Sequence, residues 1–198
     1  IQTISDTVKS GGKSRRAANL TSFKYNHPDI IEYITCKKNN NLSAVNISVL
    51  VDDAFMERVC EKDFNTTVPL VSPYNGKQVS EITIGELWDK IIEHAWASGD
   101  PGFLFYDSAN KTNALPSLGD VTCSNPCGEV LLPPFSACDL GSINLLKYMV
   151  TTDINNSIYD IDWAALKSDI PHFVLFLDNV ISLTAFPHEN FKKRMTSD

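Results

Sequence analysis

Between residues 83 and 106 a sharply bounded helical pattern runs into a short apolar strand, and this succession restricts the fold more than any other feature. Thr83-Ile84-Gly85-Glu86 has capping-box spacing, in which a hydroxyl and a carboxylate satisfy the first free amides of a helix. Ile84, Leu87, Trp88, Ile91, Ile92, Ala95 and Trp96 follow at helical spacing, and Ser98-Gly99 ends the run. The stripe assigns both tryptophans to a core. After the turn Gly99-Asp100-Pro101-Gly102, the run Phe103-Leu104-Phe105-Tyr106 reads as a buried strand. Upstream, Val45, Ile47, Val49 and Val51 alternate with Asn46 and Ser48, the pattern of a strand. Asp52 or Asp53 can then cap a short helix through Met56 to Val59. Strands alternating with helices predict an α/β architecture.

The remaining segments are shorter. Ile1, Ile4 and Val8 mark a helix within residues 1–10, and Pro28 suits the first position of another, whose apolar face is Ile30, Ile31 and Ile34. Residues 61–82 read as a loop with a hairpin around Tyr74-Asn75-Gly76, and residues 107–122 as irregular. A long helix runs from Asp162 to Phe186, with Pro171 expected to kink or interrupt it. The chain begins at Ile1 without methionine and ends at Asp198, which favours a piece of a longer protein.

Charge narrows the partners. Seventeen Lys and Arg against 24 Asp and Glu leave a formal charge of -7, which disfavours a nucleic acid held by its phosphates. No apolar run approaches the roughly 18 residues a membrane span needs. Five cysteines, at 36, 60, 123, 127 and 138, do not suit a simple disulfide framework, and no secretory segment is present. A reducing, cytoplasmic setting follows as the expectation.

Chemistry concentrates in Asn125-Pro126-Cys127-Gly128-Glu129. Pro126 favours extended backbone at Asn125. In an extended segment Asn125, Cys127 and Glu129 project to one side, spaced about 7 Å per two residues. An amide, a thiol and a carboxylate would then face one reactant; the alternative is a structural turn. A strand, turn and second strand can carry Cys138 back towards Cys127, and two thiols near a carboxylate suit redox chemistry. Zinc is the weaker alternative, because Cys123, Cys127 and Cys138 have no fourth Cys or His nearby in sequence. The four histidines, at 27, 94, 172 and 188, are scattered. Ser10-Gly11-Gly12-Lys13-Ser14-Arg15-Arg16 reads either as a phosphate cradle or as a solvated basic turn.

Taken together, the ordered segments resemble the large catalytic subunit of ribonucleotide reductases. The resemblance is carried by Lys9 to Ala18, His27-Pro28-Asp29-Ile30, Asn41 to Val49, Gly99-Asp100-Pro101-Gly102, Asn125 to Glu129, and Ala137-Cys138-Asp139-Leu140-Gly141-Ser142-Ile143-Asn144-Leu145. It implies that residues 1–198 are the central part of a ten-stranded α/β barrel, lacking that barrel's N- and C-terminal parts.

The resemblance also implies roles. Cys127 becomes the thiyl radical, Glu129 the base for the ribose 3′-hydroxyl and Asn125 a substrate hydrogen-bonding group, with Pro126 and Gly128 completing the substrate-binding segment. Cys138 is one of two reducing thiols. Lys38-Asn39-Asn40-Asn41-Leu42-Ser43 resembles the loop joining an effector site to the substrate base. No metal site is implied. The run from Leu131 to Leu145 is most similar to the adenosylcobalamin-dependent class, whose cofactor-binding residues lie mostly outside this chain; the oxygen-dependent class is the alternative. Implied partners are a ribonucleotide, a dNTP or ATP effector, a thioredoxin- or glutaredoxin-type reductant, and either a second copy of the chain in a homodimer or complementary fragments. A non-catalytic nucleotide-binding fragment is the reading from a different class.

Overall fold

The computed structural model describes residues 2–7, 9–10, 15–38, 42–153 and 155–195. Two units divide the chain, Ile1–Pro134 and Phe135–Asp198. In chain order the first unit comprises α1 (Gln2–Thr7), β1 (Lys9–Ser10), β2 (Arg15–Arg16), β3 (Asn19–Lys24), α2 (Ile30–Thr35), β4 (Val45–Val51), α3 (Asp53–Cys60), β5 (Thr67–Val71), β6 (Gln78–Thr83), α4 (Ile84–Ser98), β7 (Gly102–Phe105), α5 (Tyr106–Lys111), β8 (Cys123–Ser124) and β9 (Leu131–Leu132). The second comprises β10 (Met149–Asp153), β11 (Ile158–Ile161), α6 (Trp163–Leu183) and α7 (Glu189–Met195).

The α/β expectation holds. β3, β4 and β7 form a parallel sheet in that order, with Asn19 opposite Val45 and Ser48 opposite Gly102. Parallel neighbours require crossover connections. Here α2 links β3 to β4, while α3, the β5–β6 hairpin and α4 link β4 to β7. The three strands are an open piece of parallel α/β structure, as a partial barrel requires.

One face of the sheet carries the core. Val45, Ile47, Val49 and Val51 of β4 pack with Ile30 and Ile34 of α2, Phe55 of α3 and Leu87 and Ile91 of α4. Both foreseen caps form. Asp52 accepts the Phe55 amide at 3.0 Å, and Thr83 accepts that of Glu86 at 3.1 Å. The hairpin through Tyr74-Asn75-Gly76 also forms, between β5 and β6.

Several local expectations are corrected. Trp96 is 91% exposed, because α4 turns Ile84, Leu87, Ile91 and His94 to the core and Trp96 lies about 140° around the helix from Ile91. Trp88 does pack against that core, stacked with Phe103. α2 begins at Ile30 rather than at Pro28, since a turn through His27, closed by the Ile30 amide on the His27 carbonyl, precedes it. Tyr106, expected to close the strand, instead starts α5, which runs on into the stretch expected to be irregular, and β7 is only partly buried, being an edge strand. In the second unit α6 is continuous through Pro171 and stops at Leu183, not Phe186. β10 and β11 form an unforeseen antiparallel pair. Among the described residues no helix is long and apolar enough to cross a membrane.

Candidate functional site

The segment from Cys123 to Leu132 is a hairpin. Cys123 pairs with Leu132 and Ser124 with Leu131, and the Asn125 amide reaches the Val130 carbonyl at 3.2 Å. At the tip the Gly128 amide donates to the Asn125 carbonyl at 3.0 Å, closing a turn around Pro126 and Cys127. Gly128 has φ +85°, a left-handed conformation that side chains disfavour. Asn, Pro and Gly occupy the first, second and fourth turn positions, the order a type I turn prefers.

The expectation of an extended segment presenting three side chains to one side is therefore overturned. The turn brings two of those side chains together by another route. Asn125 Nδ2 donates to Glu129 Oε1 at 2.5 Å, while Asn125 Oδ1 accepts the Val130 amide at 3.0 Å. Amide and carboxylate thus clasp the base of the turn. Cys127 occupies the exposed tip between them.

The hairpin is anchored to the sheet face opposite the core. Ser22 of β3 donates to the Thr122 carbonyl at 2.8 Å, and Asn46 of β4 donates through Nδ2 to the Pro126 carbonyl at 2.6 Å. An open cavity of about 350 Å³ lies between hairpin and sheet. Its lining includes Asn46, Ser48, Asp100, Gly102, Pro126 and Cys127. Gly102 keeps one wall open, since a Cβ there would meet Ser48 Oγ at 3.3 Å. The volume falls in the range of small-molecule sites.

Asp100 supplies the charged wall. Its Oδ2 lies 2.5 Å from Lys37 Nζ, with the two side chains 18% and 14% exposed. Its Oδ1 accepts the Ile47 amide at 3.4 Å, tying this wall to β4. Beneath the same strand pair, the Tyr33 hydroxyl donates to the Thr21 carbonyl and accepts the Ser48 amide. Burial pushes the Tyr33 phenol upward in pKa, and likewise the Cys36 thiol. Neither group is poised as an acid or nucleophile at neutral pH.

The other sequence candidates are placed differently. Cys138 belongs to the second unit, exposed in a segment without helix or strand, so the expected second strand is absent at that position. Pro133 and Pro134 each lack an amide donor, and Phe135 has φ +62°, which deprives the segment of a strand ladder. Of the effector-loop candidates, Lys38 is exposed and Leu42 packs against the core, with Ser43 in the turn that follows. Asn39, Asn40 and Asn41 lie outside the described residues, as do Gly11 to Ser14 of the basic turn. Among the described residues no three His, Cys, Asp or Glu side chains converge to hold a metal ion.

Sequence reasoning passed over Asn46 and Asp100 as site residues. Asn46 carried a partial signal, being with Ser48 one of two polar residues that interrupt the apolar run of β4. Asp100 carried none beyond its place in the turn after α4.

The family profile described as ribonucleotide reductase, barrel domain, matches residues 1–198. A vitamin B12-dependent ribonucleoside-diphosphate reductase of Thermoplasma acidophilum is 43% identical over 195 residues, covering 96% of this chain and 24% of that protein. Its namesake in Mycobacterium tuberculosis is 38% identical, covering 91% of this chain and 25% of that protein. A vitamin B12-dependent ribonucleotide reductase of Rhodopirellula baltica is 35% identical, covering 74% and 16%. The chain spans about a quarter or less of the length of these curated relatives.

Proposed function

The chain belongs to the ribonucleotide reductase barrel-domain family, and we propose that the whole protein reduces ribonucleotides to 2′-deoxyribonucleotides for DNA synthesis by thiyl-radical chemistry. The observation that carries this reading is the placement of Cys127. Its thiol stands at the tip of a tight turn, over an open cavity, with an amide and a carboxylate clasped at the base of the same turn. Residues 1–198 are then the central part of the catalytic barrel.

Each side chain has a task in this reading. The Cys127 thiyl takes the hydrogen atom from ribose C3′, forming the S–H bond and leaving a carbon radical. Glu129 accepts the proton of the 3′-hydroxyl. Asn125 holds Glu129 and offers its amide to the substrate. The 2′-hydroxyl leaves as water, and two thiols, Cys138 among them, supply two electrons and two protons and become a disulfide; Cys127 then returns its hydrogen atom to C3′, which ends the substrate radical and restores the thiyl. A turn held by several hydrogen bonds suits such chemistry, because atom transfer needs reacting atoms kept in near contact.

The relatives' names support vitamin B12, as adenosylcobalamin, for the whole protein. When bound, that cofactor supplies the initial radical. The residues present fit this in one respect: Cys127 is exposed beside open space, where its thiol would be accessible for oxidation to the thiyl by a radical the cofactor supplied. A ribonucleotide substrate, a dNTP or ATP effector near Lys38 to Ser43, a thioredoxin- or glutaredoxin-type reductant, a homodimer and a cytoplasmic setting complete the reading.

The test uses protein of the relatives' full length. Cys127→Ser should abolish deoxynucleotide formation, and Glu129→Gln should lower it by about 10²–10⁴-fold. Turnover should also require added adenosylcobalamin. Turnover surviving Cys127→Ser would sink the reading.

A further inference from the structure

We infer that Asn46 is a positioning residue for Cys127, acting on the peptide unit that carries the cysteine. This rests on the assignment of Cys127 as the radical-bearing thiol. The side-chain amide of Asn46 donates to the Pro126 carbonyl at 2.6 Å. That carbonyl belongs to the peptide bond joining Pro126 to Cys127, so the contact holds the backbone plane from which the thiol projects.

Three features make this more than a surface contact. The hairpin has only two paired positions on each strand, Cys123 with Leu132 and Ser124 with Leu131, so its own ladder is short. The turn's own hydrogen bonds fix the shape of the tip, but a two-residue ladder does little to fix where that tip sits on the sheet. Asn46, by contrast, stands on the central strand of the parallel sheet, with β3 paired on one side and β7 on the other. Every other residue of β4 is buried, and Asn46 alone is exposed, on the face opposite the core.

The geometry also selects the residue type. The partner is a carbonyl, so the side chain must donate. Aspartate has the same shape as asparagine but accepts only, and would set carboxylate oxygen against carbonyl oxygen. Ser22 anchors the hairpin's entry, but the Thr122 carbonyl it holds lies five residues before Cys127. Asn46 acts one residue before it, and both Asn46 and Cys127 line the same cavity.

The test compares Asn46→Asp and Asn46→Ala in full-length protein, assayed for deoxynucleotide formation. A displacement of about 1 Å at a reacting atom costs on the order of 100-fold in rate. We expect kcat to fall by about 10–100-fold in both variants, with KM for the ribonucleotide within about twofold. Peptide-resolved iodoacetamide labelling should show Cys127 alkylated at a changed rate, while the alkylation of Cys60 stays constant. This labelling needs no turnover and reports the immediate surroundings of the thiol, through its accessibility and thiolate fraction. A kcat within twofold of the parent, with Cys127→Ser inactive, would overturn the inference while leaving the proposed function standing. A raised KM at unchanged kcat would also overturn it, because Asn46 would then act on the substrate itself. Activity surviving Cys127→Ser would instead remove the premise.

Discussion

The two faces of β4 have opposite chemistry. Val45, Ile47, Val49 and Val51, each no more than 3% exposed, point to the helices and the β5–β6 hairpin. On the other face Asn46 and Ser48 line an open cavity beside Cys127. Burying each Val or Ile contributes roughly 1.5–3 kcal/mol, so one face dominates the stability of the sheet. The other holds single hydrogen bonds to a hairpin, each worth only about 1 kcal/mol net. Stability and chemistry are thus carried by alternate residues of one strand, and substitutions on the two faces should separate in what they damage.

The largest effect belongs to the core face. Leu87→Ala, at a fully buried position of α4, should cost about 2–5 kcal/mol, measured by denaturant unfolding. Asp100→Ala is the substitution most able to break the comparison, because Asp100 lines the cavity yet is paired with a largely buried Lys37. Removing the carboxylate strands that ammonium, so a loss on the order of 3 kcal/mol is expected, and replacing Lys37 with Met as well should recover most of it.

Tyr25 sharpens the picture through pH. Burial first, then the Asp52 and Asp107 carboxylates, push its phenol up to about 12. The folded state therefore favours the neutral phenol. Its contribution is fully present below the ordinary tyrosine value near 10 and is lost as pH rises through about 12. Two units correspond to roughly 2–3 kcal/mol. Tyr25→Phe should flatten that part of the alkaline unfolding curve.

Smaller effects follow at single hydrogen bonds. Thr83→Ala removes the cap of α4 and should cost about 1 kcal/mol, a fall of some 2–4 °C in Tm. Ser22→Ala, on the cavity face, should cost less still and be visible mainly as faster amide exchange at the hairpin. A large Tm loss there would contradict the separation of the two faces.

Legibility in the sequence followed the range of the interactions. The bounds of β4, the Asp52 and Thr83 caps and the β5–β6 hairpin were all readable, because each depends on residues within a few positions of one another. The turn at Cys127 was readable too. Its Asn-Pro-x-Gly order signals a closed turn, and the period-two rule for extended chains was the wrong principle to apply there. Trp96 failed for a different reason: an apolar stripe wider than the face the sheet can cover leaves its margin in water.

What the sequence alone determined is the inventory and its local geometry: an amide, a thiol and a carboxylate within five residues, and strands and helices in α/β alternation. The tertiary structure decided what surrounds the sulfur. Asn46 and Pro126 are 80 residues apart, and Lys37 and Asp100 are 63 apart. No local preference encodes those meetings. They arise because parallel pairing of β3, β4 and β7 stacks distant segments side by side, leaving one face of the sheet free for the hairpin to lie across.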